Sequence, residues 1–297
     1  MAATAAEITN LRFAVLIDAD NVPRDCLKST MEEIAIYGVP TIKRIYGDWT
    51  SPNVAGWKTS LLENAVTPIQ QYSYTTGKNS TDSAMIIDAM DILYSGRTDG
   101  FVLVSSDSDF TRLATRLREA GMYVIGIGER KTPMPFIVAC DKFVYIEVIR
   151  ERARKTANVE SQRTTSAAAA STVSKNTNGT NGTNGRKKKP DASQTRKAPV
   201  GKTDKTAAEP KTESRVPESV VKLIADSISD LADDDGYTDL SNLGNLIIKK
   251  QPDFDPRNFG FGKLSNMLRY IERFEVEVRT TADPHVRPIF IRDKEVG

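Results

Sequence analysis

FVLVSSDSDFTRLATRLREAGMYVIGIG, residues 101–128, decides the fold. Phe101–Val104 is an unbroken apolar run, the pattern of a strand covered on both faces. SSDSD, which follows, is too polar to continue it. From there Phe110, Leu113, Ala114 and Leu117 recur at helical spacing, and Gly121 supplies the stop. Met122–Ile127 reads as a second buried strand. Strand, helix and strand form a parallel crossover unit, which is right-handed by rule. It sets Asp107 and Asp109 just past the carboxyl end of a central strand, the edge where open α/β sheets bind ligands. Ser and Asp there are also ordinary helix caps, because their oxygens accept the free N–H groups of a first turn. A second acidic cluster in an equivalent place argues for more than capping.

That cluster is DADN, Asp18–Asn21, at the end of the apolar strand Arg12–Ile17. Pro23 suits the first turn of a helix running to Tyr37. A strand at Thr41–Tyr46, a helix from Val54 to Asn64 and a strand at Thr67–Tyr72 follow. Next comes TTGKNSTDSAMIIDAMDILYSG, in which Thr75–Ser80 is a polar loop carrying Lys78. A helix starts near Thr81 and buries Met85, Ile86, Ala89, Ile92 and Leu93. Asp82 falls on that same face at the N-terminal end, where it is either an acid favoured by the helix dipole or part of a site. Asp91 points away, and Asp88 lies on the boundary. Pro135 opens a short helix, and Lys142–Val148 reads as an edge strand. Strands alternating with helices predict a largely parallel sheet with helices on both faces.

Composition excludes several chemistries. Two cysteines, Cys26 and Cys140, and one histidine, His285, in 297 residues leave no disulfide framework and no His-rich zinc site. A Ser–His–Asp or Cys–His mechanism would have to use His285, whose DPH context reads as a turn. Catalysis would have to rest on carboxylates. The net charge is only +2, so the molecule is not a polycation. No run has the length of a membrane span, and MAATAAEITN lacks the basic and apolar parts of a signal peptide. A soluble, intracellular, cytoplasmic protein is expected, without a membrane partner.

The first domain is expected over residues 11–150, after a tail at 1–10. Residues 151–215 are low in large apolar side chains and include AAAA, NTNGTNGTNG and RKKKP, a composition expected to give a disordered basic linker. The NGT triplets fit an acceptor pattern for glycosylation but read as spacer. RKKKP, Arg186–Pro190, fits a nuclear signal, a nucleic-acid tether or a merely solubilising segment. Order is expected again over 216–293. Val220, Val221, Ile224 and Ile228 mark one helix, Leu240, Leu243, Leu246 and Ile247 a second, and Phe261, Leu264, Met267 and Leu268 a third. FEVEV, Phe274–Val278, alternates strictly, and a turn at Ala282–His285 leads to a partner strand at Ile289–Ile291. Three helices and a hairpin describe a winged helix. The two domains are expected to have separate cores and no fixed orientation, so limited proteolysis should cut first between residues 156 and 214.

Asp18, Asp20, Asp82 and Asp107 converge if the sheet is wound this way. Clustered carboxylates raise one another's pKa and are relieved by a hard cation, Mg²⁺ or Mn²⁺, for which oxygen ligands select. Such a site suits phosphoryl chemistry. DADNV, Asp18–Val22, also fits the D-x-D-x-[T/V] pattern of haloacid dehalogenase-type phosphatases, in which the first Asp attacks phosphorus. That short motif explains neither the KNSTD helix nor the C-terminal domain.

FAVLIDADNVP, KNSTDSAMIIDAMDIL and FVLVSSDSDFTRLATRLREAGMYVIGIG together resemble the NYN domains, a PIN-like nuclease group. The resemblance implies a three-layer α/β/α domain with a mostly parallel sheet. It implies that Asp18, Asp82 and Asp107 are the metal ligands, with Asn21 and Asp109 at polar positions of the same site. GYTDLSNLGNLIIKKQPDFDPRNFGFGKLSNMLRYIERFEVEVR looks like an OST-HTH domain, also called LOTUS. That family is a winged helix which binds RNA in several members, structured G-rich RNA among it, and protein partners in others. Lys249, Lys250, Arg257, Lys263 and Arg269, with Lys78, are candidates for phosphate contacts. The expected activity is a metal-dependent ribonuclease acting on single-stranded or structured RNA. The competing expectation is a non-catalytic RNA-binding adaptor.

Overall fold

The computed structural model describes residues 11–51, 56–72, 80–156, 215–279 and 287–296, the side chains of Ser80 and Thr81 excepted. Strands β1 (Arg12–Asp18), β2 (Val39–Gly47), β3 (Thr67–Gln70), β4 (Gly100–Val104), β5 (Tyr123–Gly128) and β6 (Lys142–Tyr145) form one sheet. Their spatial order is β3-β2-β1-β4-β5-β6, with every neighbouring pair parallel. Between them run α1 (Leu27–Ile34), α2 (Lys58–Asn64), α3 (Ser80–Ser95), α4 (Thr111–Glu119) and α5 (Met134–Ala139), and a further helix, α6, spans 146–156.

β1 is buried along almost its whole length, and its alternation divides two cores. Phe13, Val15 and Ile17 pack with Leu27, Ile34, Trp57, Leu61 and Ile149, so α1, α2 and α6 cover one face. Ala14 and Leu16 pack with Met85, Ala89, Leu113, Leu117 and Phe136, so α3, α4 and α5 cover the other. This is the expected three-layer arrangement. From β1 the chain winds outward to β2 and β3, then crosses back through α3 to β4 and winds the other way. The reversal leaves a crevice at the carboxyl ends of β1 and β4, where open α/β sheets bind ligands.

Several elements differ from their sequence reading. The helix expected from Pro23 to Tyr37 divides into a 3-10 turn at Arg24–Cys26 and α1. The strand expected through Val148 ends at Tyr145. Ile146, Val148 and Ile149 are buried from a helix instead, because a short apolar run does not distinguish a strand from a buried helix. That helix carries ordered structure to Thr156, into the segment expected to be linker. Lys78, RKKKP, the tail at 1–10 and the turn Ala282–His285 lie outside the described residues. Gly121 ends α4 as expected, with φ of 80°, a left-handed conformation that favours glycine.

The C-terminal region contains α7 (Glu218–Ser229), β7 (Tyr237–Asp239), α8 (Leu240–Lys250), α9 (Leu264–Tyr270), β8 (Phe274–Val278) and β9 (Ile289–Asp293). The strands form an antiparallel sheet ordered β7-β9-β8, so the expected hairpin gains a third strand. β7 is too short for a periodic signal. Its last residue, Asp239, also caps α8 by accepting from the backbone N–H groups of Ser241 and Asn242. Val220, Ile224, Leu243, Ile247, Met267, Leu268, Phe274 and Ile291 form a separate core. Hydrogen bonds cross between the two domains, among them Phe143 N–H to the Pro252 carbonyl at 2.9 Å.

Candidate active site

Asp18 is the last residue of β1, and Asp107 lies three residues beyond β4. The loop between them and the helix that follows is built by short-range hydrogen bonds. Ser105 continues β4 toward β5 by donating its N–H to the Ile127 carbonyl at 3.0 Å. Gly128 permits this approach, because a Cβ there would stand 2.6 Å from the Ser105 carbonyl oxygen. The Ser105 hydroxyl, fully buried, donates to Asp18 Oδ2 at 2.8 Å and accepts the Asp107 N–H at 3.1 Å. Asp107 Oδ1 accepts the Asp109 N–H at 2.9 Å, capping the 3-10 turn Ser108–Phe110. The Ser106 hydroxyl accepts the Glu129 N–H at 2.8 Å, and Phe110, fully buried, anchors the far end. Capping and site-building are therefore the same interaction.

Asp82 lies in the first turn of α3. One carboxylate oxygen from each of Asp82, Asp107 and Asp109 lies within 4.8 Å of the other two. The Asp18 charge also acts on Asp82. Asp18 is 1 % exposed, and its oxygens accept from the Asp20 N–H at 3.0 Å, Asn21 Nδ2 at 2.8 Å and Ser105 Oγ. Asp109 thus lies close to Asp82 and Asp107, two of the ligands the resemblance implied, and the Asp18 carboxylate, the third, is held by Asn21 and Ser105. Asp20 is exposed at the rim.

Burial raises the Asp18 pKa, against the hydrogen bonds from Asn21, Ser105 and Asp20. Burial, then the charges of Asp18, Asp107, Asp109 and Asp20, push Asp82 up to about 6. A carboxyl raised in the folded state binds its proton more tightly folded than unfolded. Its stabilising contribution is complete below its unfolded pKa, about 4, and is lost as pH rises through about 6. We therefore expect the metal-free protein to lose stability across that window through this group, and Asp82→Asn to remove the loss. Thermal melts of both proteins at about pH 4.5 and about pH 7 check it. A cation bound by Asp82 competes with the same proton, so cation affinity should fall below about pH 6.

Asp88, undecided from spacing, faces β2 and bonds the Arg44 guanidinium and the Tyr46 hydroxyl. It fixes α3 to the sheet and stays outside the acidic trio. Among the candidate phosphate contacts, Lys249, Lys250, Lys263 and Arg269 are exposed, although Lys250 Nζ bonds Asp230 at 2.6 Å and Ser227 at 3.1 Å. Arg257 is largely committed to contacts within the chain. Nε, Nη1 and Nη2 all donate to Asp255 or Glu33 at 2.6–3.0 Å. No local pattern marks Glu33 as its partner, and the only signal for Ser105 is a small polar residue directly after the apolar strand.

A six-stranded parallel sheet with helices on both faces and acids at its switch point fits a PIN-like α/β domain, and the helices and small antiparallel sheet that follow fit a winged helix. The NYN domain family matches residues 12–147, and the OST-HTH/LOTUS domain family matches residues 213–286. The chain is an NYN-domain protein with a C-terminal OST-HTH/LOTUS domain. Among solved structures, it is similar to a protein of unknown function from Vibrio parahaemolyticus at 20% identity and a TM-score of 0.41, covering 49% of this chain and 96% of that one. It is also similar to an uncharacterized protein from Nitrosomonas europaea at 29% identity and a TM-score of 0.24, covering 31% of this chain and 92% of that one. No curated protein matches. Among the described residues, no helix is long and apolar enough to cross a membrane. The NYN domain places the chain among nuclease-like proteins, and the OST-HTH domain supplies an RNA-binding module.

Proposed function

We propose that this protein is an intracellular, divalent-metal-dependent ribonuclease whose OST-HTH domain captures the RNA. The observation that carries the reading is the approach of Asp82, Asp107 and Asp109 at the sheet's switch point, with Asp18 adding to their field. An all-carboxylate donor set with mutual repulsion fits Mg²⁺ or Mn²⁺. Asp82, Asp107 and Asp109 would hold the ion, which when bound supplies Lewis-acid polarisation of a phosphodiester and a more acidic water. Asn21 and Ser105 orient the Asp18 carboxylate and oppose the effect of burial on its pKa. Asp107 both caps the loop and presents its remaining lone pairs to the crevice.

Ser105→Ala should leave the fold intact and lower cleavage by about 10–100-fold, the range for residues that orient metal ligands. Single-turnover rates on labelled RNA, beside thermal melts, check it. The function itself is tested by incubating the purified protein with labelled single-stranded RNA, structured RNA and a small phosphate monoester in Mn²⁺. Shortened RNA with the monoester untouched supports the reading. Tight RNA binding without cleavage in any divalent metal would make the protein an adaptor, and hydrolysis of the monoester alone would make it a phosphatase.

A further inference from the structure

Glu33 stands in the last turn of α1, where the helix dipole disfavours a negative charge, and it is 2 % exposed. A carboxylate so placed needs donors. Its own domain supplies two, the Tyr37 hydroxyl at 3.1 Å and Arg152 Nη1 at 3.0 Å. The OST-HTH domain supplies the rest: Arg257 Nη1 reaches Oε2 at 2.9 Å and Nη2 reaches Oε1 at 2.6 Å, a two-pronged contact. Burial pushes the Glu33 carboxyl up, and Arg257, with Tyr37 and Arg152, more than offsets it, leaving the group below its ordinary value.

Three further contacts join the same surfaces. β6 is an edge strand of the sheet, and an open edge is a template for unwanted pairing. Its Phe143 N–H is taken by the Pro252 carbonyl, and the Tyr145 hydroxyl donates to Asp253 Oδ2 at 2.8 Å. Lys142 is buried beside Tyr37; burial lowers its pKa, and the charge of Asp255 opposes that shift. Asp255 in turn holds Arg257 by accepting from Nε and Nη2. One short stretch, Pro252–Arg257, thus supplies a backbone acceptor, two carboxylates and a guanidinium to α1 and β6.

We propose that Pro252–Arg257 is a docking latch that seats the OST-HTH domain on the NYN domain's β6 edge and α1, with Glu33 as its receptor. The partner this surface fits is the chain's own C-terminal domain. Buried ionic contacts of this kind serve better to select one arrangement than to add stability, because desolvation offsets much of the attraction. The latch gives the RNA-binding module a set position relative to the acidic trio, and it assigns Arg257 to docking.

Hydrogen exchange at the Phe143 amide, in the full chain, tests this. Arg257→Met and, from the other side, Glu33→Gln should each speed that exchange about tenfold or more, a size within the range for coupled contacts. The amides of Val15 and Leu103 in one domain, and of Leu268 in the other, should stay as slow as in the wild type. Arg257→Lys, which keeps the charge and loses the fork, should fall between. The proposal is overturned if Phe143 exchanges as slowly in both Arg257→Met and Glu33→Gln as in the wild type. It is also overturned if the protection depends on protein concentration, which would mean that the contact forms between chains.

Discussion

Asp107→Asn should lose most RNA cleavage, about a thousandfold, while its melting temperature stays at or above that of the wild type. The loss corresponds to several kcal/mol of transition-state charge stabilisation, the scale expected when a metal site is disrupted. The fold should survive because the amide oxygen can still accept the Asp109 N–H, now held at 2.9 Å, and because one charge leaves a repelling group. RNA binding should persist, since the OST-HTH surface is untouched, and it should weaken with salt as phosphate contacts do. Gel-shift and single-turnover measurements on the same preparation separate the two effects. Equal cleavage by wild type and variant would place the nuclease elsewhere or in a contaminant.

Phe110→Ala should have the largest effect on stability. Phe110 is fully buried beneath the helix that follows the acidic loop. Its truncation removes a large apolar side chain and leaves a cavity, a change that costs about 3–5 kcal/mol. For a domain of this size that lowers the melting temperature by about 10 °C. Because the same side chain anchors the loop carrying Asp107 and Asp109, cleavage should fall as well, even at temperatures where the protein remains folded. A melt unchanged within a degree or two would show that the loop is not held from below as described.

The acidic site was legible because its residues announce themselves locally. Asp18 and Asp107 each follow an unbroken apolar strand, and Asp82 opens a helix whose buried face has a clear period. What spacing does not encode is which oxygens are already occupied. Asn21 and Ser105 both bond Asp18, and Asp109 comes close to Asp82 and Asp107, matters of side-chain geometry over a few ångströms. β6 was overextended because Tyr145–Ile149 is apolar enough for either strand or helix, and only packing against the sheet decides it. The pairing of Glu33 with Arg257 joins residues 224 apart, and neither has a neighbour that hints at the other. Long-range ion pairs of this kind lie beyond any local pattern, which is why the two domains read as independent.

The most direct test of the account is Mn²⁺ binding to the full chain, followed by the loss of the free-ion paramagnetic resonance signal, with Asp82→Asn beside the wild type. The account expects saturable binding by the wild type that weakens below about pH 6, where Asp82 takes up its proton, and little binding by the variant. Mn²⁺ uptake that is the same in both proteins, or absent from the wild type at neutral pH, would contradict it.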